Sequence, residues 1–325
     1  MSMACAWSIL AWGADKTRLE TAVEAAFDEI DRVDRLMSHY KPDSPLSRIN
    51  LEAGAREAGA REAGVAPVIT DPELFAFLRE CLRYSRMSGG AFDITVGPLM
   101  KAWGFFRGEG RMPTATELDA ARARIGYQRI TLDPANQSVR FGTPGMELDL
   151  GGIAKGYAVD RAVAILKQHG VRRALINGCG STIYGLGAPP GARAWQVSVA
   201  DPRQAAKTAF RVPLRNRALS ISGSSEKFFE LNGVRYTHVM DPRTGMPVRD
   251  VISVLVLADS GTEGDALDNL FFVTGFKQGR VLTRAYPRAE PFLILPLSPS
   301  GAHARGWRLV SPAGKYPGFL PRRRL

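Results

Sequence analysis

The chain is poor in the residues that build disulfide scaffolds and metal clusters. Its 325 residues contain three cysteines and four histidines. Cys5, Cys81 and Cys179 are an odd number without metal-like spacing, so neither a disulfide framework nor a zinc site is indicated. No apolar run approaches the length of a helical membrane span, so no transmembrane segment is expected. Residues 1–10 lack a basic leading stretch and run straight into a strand-like segment, so no signal peptide is visible and the chain, as written, reads as cytoplasmic. Dense charge is scarce as well. The formal net charge is +11, but it is spread out, and the one compact run is Arg322-Arg323-Arg324. That run reads as a solvated basic tail over 318–325, which argues against a nucleic-acid-binding protein.

What is present is the composition of an ordinary globular protein, 45% hydrophobic and 23% charged, long enough for one large domain or two intimate lobes. Residues 7–12 read as an opening strand. A helix follows over 16–38, with Leu19, Val23, Phe27, Ile30 and Val33 at helical spacing. Residues 52–64 repeat Glu-Ala-Gly-Ala-Arg without an apolar stripe and read as an expanded surface loop. Asp71-Pro72 marks a helix start that runs to about Met87. A short helix over 116–125 precedes two strands near 129–132 and 138–141. The segment 148–157 reads as strand, glycine turn and helix. Later strands are expected at 174–176, 195–199, 218–221 and 251–257, with a late helix over 265–276. Helices and strands come in uneven runs, which favours an α+β fold over a doubly wound sheet.

Three places carry residues suited to chemistry. His238 stands three residues before Asp-Pro-Arg-Thr-Gly245, where Pro242 fixes φ and Gly245 permits positive φ; a histidine held by a stiff turn can serve as a general base. The turn Leu148-Asp-Leu-Gly-Gly-Ile-Ala-Lys-Gly-Tyr157 offers backbone N–H groups and a helix N-terminus to a phosphate, or is a packing turn. It matches neither a Walker loop nor a dinucleotide fingerprint. Asp265 and Asp268 share a helix face with Asn269, and they suit either a hard cation such as Mg²⁺ or the dipole of a helix start. Met37-Ser-His-Tyr40 and Gly90-Ala-Phe-Asp93 place aromatic and soft side chains near turns, where they suit a flat heterocycle or a core.

In order along the chain, these segments resemble the ApbE family of FAD:protein FMN transferases. The resemblance spans residues 3–275 and makes residues 1–325 a single domain. It rests on Met37–Tyr40, Asp43-Ser-x-x-Ser-x-x-Asn50, Gly89–Leu99 with Trp103-Gly-Phe105, Asp149–Asp160, His238–Gly245 and Asp265-Ala-Leu-Asp268. It implies a T-fold-like α+β protein of two lobes, with mixed or antiparallel sheets flanked by helices and an FAD cleft between them. It also implies Mg²⁺-dependent transfer of FMN from FAD to a Ser or Thr hydroxyl of an acceptor flavoprotein, releasing AMP.

By the same resemblance, Met3, Tyr40, Ala91, Phe92, Asp93, Gly151, Tyr157 and Met240 would line the FAD site. The carbonyl of Ala154 with Asp265, Asp268 and Asn269 would hold Mg²⁺, and His238 would deprotonate the acceptor. The chain departs from the family pattern at Met3-Ala-Cys5, at Cys179-Gly180 in place of paired glycines, at Ile221-Ser-Gly-Ser-Ser225 and at Asn269, where threonine is common. Cys179 is expected to be a small buried residue replacing glycine rather than a reactive thiol. Two other functions stay open on the same residues: hydrolysis of FAD to FMN and AMP, and non-catalytic flavin binding. A cation-rich protein suits an anionic dinucleotide in all three.

Overall fold

The computed structural model describes residues 3, 5–54, 67–106, 108–202, 204–297 and 306–314. Most of the repeat over 52–64 and all of the basic tail over 318–325 lie outside them. The chain divides into two compact units, one formed by residues 1–33, 153–225 and 250–325, the other by residues 34–152 and 226–249.

The first unit is built on a seven-stranded sheet. In spatial order its strands are Trp7–Ala11, Ala174–Gly178, Thr182–Leu186, Arg217–Gly223, Ser253–Ala258, Glu290–Pro296 and Trp307–Val310. Every neighbouring pair is antiparallel. Strand side chains alternate between faces, so Tyr184, Leu186 and Ala218 turn to one side and Ile183 and Leu219 to the other. The first side packs on helices through Ala22, Ala26 and Ile30 of Lys16–Met37 and Val159, Ala162 and Val163 of Ala154–Gln168. The second side is covered by the ribbon Trp195–Asp201/Gln204–Leu214, which contributes Trp195, Val197, Phe210 and Val212. Both faces are thus buried, one under helices and one under strands. This is the α+β arrangement expected from the uneven element order.

A third helix of this unit, Gly261–Leu282, begins at Ser260, whose hydroxyl accepts from the Glu263 N–H. It crosses Ala154–Gln168 at two glycines. A Cβ on Gly156 would meet the Gly261 carbonyl oxygen at 2.1 Å, and one on Gly261 would meet the Gly156 oxygen at 2.6 Å. Only glycine lets the two backbones approach this closely. The helix starts four residues before the sequence reading placed it, and Gly275 breaks its helical geometry at φ 61°. The run Leu148–Leu150, expected as a strand, joins no ladder.

The second unit holds the helices Pro45–Glu52, Pro72–Met87, Gly97–Ala102 and Ala115–Arg122. Its sheet has three strands, in the order Val68–Ile69, Ser138–Phe141 and Ile130–Asp133. Two hairpins complete it, Phe228–Leu231/Val234–Thr237 and Met240–Asp241/Met246–Pro247. Asp71 caps the Pro72–Met87 helix by accepting from the N–H groups of Glu73 and Leu74 at 2.8 and 3.2 Å.

One reading from composition is corrected. Cys5 and Cys179 form a disulfide at a sequence separation of 174, with their Cα atoms 5.7 Å apart. Cys179 is half-buried at φ 63°, so it is neither a simple buried glycine substitute nor a free thiol. An odd count and a wide separation hide such a pair from any spacing rule. Cys81 is the free cysteine among the described residues, and it is buried.

Candidate functional site

The first unit carries Met3, Ala154, Tyr157, Asp265, Asp268 and Asn269; the second carries Tyr40, Ala91, Phe92, Asp93, Gly151, His238 and Met240. Each group has its own local architecture.

In the first unit the two glycine-crossed helices cap one another. The Gly156 N–H, near the start of Ala154–Gln168, donates to Asp265 Oδ2 at 2.6 Å. Asp160, one helical turn further along, accepts from the Gly261 and Thr262 N–H groups at 2.6 and 2.8 Å and from the Thr262 hydroxyl at 2.6 Å. A carboxylate at a helix N-terminus satisfies donors that have no partner within the helix. The helix end that the glycine turn seemed to offer to a phosphate therefore spends one N–H on Asp265.

Asp265 and Asp268 are 4% and 2% exposed and lie beyond the first turn of their helix, so the helix-dipole reading does not account for them. Ser220 Oγ lies 2.6 Å from Asp265 Oδ1 and 2.7 Å from Asp268 Oδ2. Thr182 Oγ1 also donates to Asp265 Oδ1. Asn269 Nδ2 donates to Asp268 Oδ1 at 2.8 Å and to the Asp265 carbonyl at 3.0 Å, so the amide nitrogen is what this side chain presents to its neighbours. Burial pushes the Asp265 carboxyl up, an effect opposed by Lys155 and the surrounding donors. Burial, then the negative charge of Asp265, pushes Asp268 well above the ordinary carboxylate range. Ser220 and Thr182 were not legible as site residues, because only the sheet register brings them to the carboxylates; Lys155, at the start of Ala154–Gln168, comes near them by the crossing of the two helices.

In the second unit the Asp241–Gly245 turn is as stiff as its sequence suggests. The Asp241 carbonyl accepts from the Gly245 N–H at 2.8 Å, and its carboxylate holds the Arg243 guanidinium at 2.9 Å. Gly245 sits at φ 75°, and its carbonyl accepts from Trp103 Nε1 at 2.9 Å. His238 is tied to the Lys227 carbonyl twice, by its backbone N–H at 3.0 Å and by Nδ1 at 3.2 Å. A carbonyl only accepts, so the Nδ1 contact puts the proton on Nδ1 and the lone pair of the neutral ring on Nε2. Glu226 Oε2 lies 3.9 Å from Nε2, beyond hydrogen-bond length. The ring is half-buried, with its edge toward Phe105.

The other second-unit residues divide between core and surface. Ala91 and Phe92 are 2% and 6% exposed, and Met240 packs against Trp103 and Phe105. Asp93 accepts from the Thr95 N–H and hydroxyl at 2.9 and 2.7 Å and from the Tyr127 N–H at 2.8 Å; burial pushes its carboxyl up. Asp93 borders an open cavity of about 430 Å³ together with Gly90, Arg122, Tyr127 and Arg243. Tyr40 is exposed and stacks on Phe106 with ring centres 5.0 Å apart. Gly151 N–H donates to Asp149 Oδ1 at 2.8 Å. Beside it, His39 Nδ1 lies 3.4 Å from the same oxygen, while its Nε2 is buried without a protein partner among the described residues.

Known proteins resemble this chain over nearly its full length. The model of the ApbE family matches residues 3–292. An FAD:protein FMN transferase of Treponema pallidum is 33% identical over 86% of this chain and 78% of its own. The corresponding enzyme of Salmonella typhimurium is 31% identical over 97% of this chain and 87% of its own. Among solved structures, the ApbE protein of Thermotoga maritima superposes with a TM-score of 0.81 at 29% identity, covering 96% of this chain and 94% of that one. The flavin transferase ApbE of Vibrio cholerae gives a TM-score of 0.78 at 26% identity, with 96% and 94% coverage. A family match of this extent, with relatives above 30% identity along most of the sequence, decides the membership: the chain belongs to the ApbE family.

Proposed function

We propose that the chain is a Mg²⁺-dependent FAD:protein FMN transferase, moving FMN from FAD to a Ser or Thr hydroxyl of a partner flavoprotein and releasing AMP. The observation that carries this reading is the buried Asp265–Asp268 pair, whose four carboxylate oxygens face a single set of uncharged donors. Two desolvated carboxylates this close favour either a retained proton or a cation. The four carboxylate oxygens are themselves hard ligands of the kind Mg²⁺ takes.

In this reading Asp265, Asp268 and the Ala154 carbonyl hold the ion. Asn269 would join through its oxygen by turning its amide away from Asp268. When bound, Mg²⁺ neutralises charge on the pyrophosphate. His238 Nε2 takes the proton of the acceptor hydroxyl. The acceptor oxygen then forms a bond to the FMN phosphorus as the P–O bond to AMP breaks, and AMP leaves with the electron pair. Tyr40 with Phe106 offers a stacked aromatic face to a flavin or adenine ring. Met3, Ala91, Phe92, Asp93, Gly151, Tyr157 and Met240 complete the assigned FAD contacts.

The Cys5–Cys179 disulfide supports action in an oxidising compartment rather than the cytoplasm, because such bonds persist where thiols are not kept reduced. No helix among the described residues is long and apolar enough to cross a membrane.

The test is incubation with FAD, Mg²⁺ and a candidate acceptor, followed by intact-mass analysis. One FMN on a Ser or Thr, with equivalent AMP, is the expected result. AMP released without acceptor would make the protein a hydrolase of FAD. FAD binding insensitive to chelator, with no AMP formed, would make it a non-catalytic flavin binder.

A further inference from the structure

Ser220 is fully buried at the centre of the seven-stranded sheet. Strand alternation places it on the helix-facing side with Ala218, and register sets it opposite Thr182. Its hydroxyl lies 2.6 Å from Asp265 Oδ1 and 2.7 Å from Asp268 Oδ2, against 3.4 Å from the Ser181 carbonyl. A serine hydroxyl has one proton and can donate fully to one acceptor at a time. A buried strand serine with a purely structural role would give that proton to a backbone carbonyl. Here both carboxylates are much nearer. The other donors divide: Gly156 and Thr182 serve Asp265, Asn269 and Ser222 serve Asp268, and Ser220 serves both.

We infer that Ser220 is a positioning residue for divalent-cation binding: by bridging Asp265 and Asp268 it fixes their spacing and orientation before the ion arrives. The inference rests on the proposal that this pair holds Mg²⁺. The bridge prevents the two side chains from swinging apart, while Asp265 Oδ2, which accepts from the Gly156 N–H, keeps a second lone pair for a cation. Ser220 supplies no ligand of its own in this role and acts through the two aspartates. Gly264 faces Ser220, and a Cβ there would meet the Ser220 Cβ at 3.0 Å.

The experiment is calorimetric titration of Mg²⁺ into the full chain at one pH, in the absence of flavin. Ser220→Ala is expected to weaken Mg²⁺ binding by about 10–100-fold, the usual effect of losing an outer-shell partner. Ser220→Thr, which restores the hydroxyl, is expected to recover most of the affinity. Thermal unfolding in chelator checks that the variants are folded. If Ser220→Ala does not fold, Ser220→Cys keeps the volume with a weaker donor and is expected to weaken binding in the same direction. Asp265→Asn separates the two claims. Loss of Mg²⁺ binding in Asp265→Asn with unchanged affinity in Ser220→Ala or Ser220→Cys would overturn the positioning role alone. Unchanged binding in Asp265→Asn would remove the metal assignment, and the inference with it.

Discussion

Glu29 shows how one side chain can tie two helices by charge. It accepts from Arg32 Nε and a terminal guanidinium nitrogen of Arg32 at 2.7 and 2.8 Å, and from Arg161 Nε at 2.7 Å. These guanidinium contacts, Arg32 first, outweigh desolvation and hold its carboxyl down at about 2, against an ordinary 4.5. A depressed folded value means the stabilisation is complete above the ordinary carboxylate range and is lost as pH falls from about 4.5 toward 2. Both arginines are more than a third exposed, so solvent weakens the pair. Glu29→Gln should therefore cost about 1–2 kcal/mol at neutral pH, shrinking toward zero near pH 2, as denaturant melts at several pH values would show. At His238 the expectation concerns rate. His238→Ala should slow FMN transfer by about 10²–10⁴-fold while leaving FAD affinity unchanged, measured by single-turnover mass analysis beside a flavin-binding titration. A drop in FAD affinity equal to the loss of rate would instead make His238 a binding residue.

Among elements, the crossing of Ala154–Gln168 with Gly261–Leu282 governs the carboxylate site, because Asp160 and Asp265 each hold the start of the opposite helix. Gly156→Ala would drive a Cβ to 2.1 Å from the Gly261 carbonyl, a backbone atom that cannot swing aside. We expect a loss of about 3 kcal/mol or more, with weaker Mg²⁺ binding because Asp265 is displaced; calorimetric melting and titration would report each effect. Local signals of this kind were readable in sequence where the cause is local. Asp71-Pro72 announced its helix to the residue, since an N-cap and a fixed φ act on the next turn. The late helix was found, but its true start at Ser260 was missed: the local Ser260-x-x-Glu263 cap is there, and Gly261 and Gly264 in the first turn mask it. The ribbon strand Gln204–Leu214 escaped notice altogether: its first five residues are exposed and show no alternation, and Pro213 stands within its alternating second half. Ser220 and Thr182 escaped for a stronger reason: nothing near them in sequence marks a hydroxyl that meets an aspartate from a helix packed over the same face of the sheet.

Across the whole molecule, the Cys5–Cys179 bond fastens the segment that begins the opening strand to the turn that follows Ala174–Gly178. Closing so long a loop restricts the unfolded chain, and losing the bond should cost about 2–4 kcal/mol. Cys5→Ser and a reducing agent should lower the melting temperature to a similar extent, and the reducing agent should do nothing further to Cys5→Ser. Cys81, its thiol buried and pushed well up, should resist alkylation until the protein unfolds. The division of the chain has a further effect. Residues 34–152 interrupt the first unit after its opening strand and helix, and residues 226–249 interrupt it again before its last four elements of sheet and helix are made. During synthesis, therefore, Ser220 leaves the ribosome 45 and 48 residues ahead of Asp265 and Asp268, the aspartates it bridges. A nascent chain released short of Gly261 would hold the Ala154–Gln168 helix with its Gly156 N–H lacking the Asp265 carboxylate, and a Ser220 hydroxyl with neither aspartate to meet.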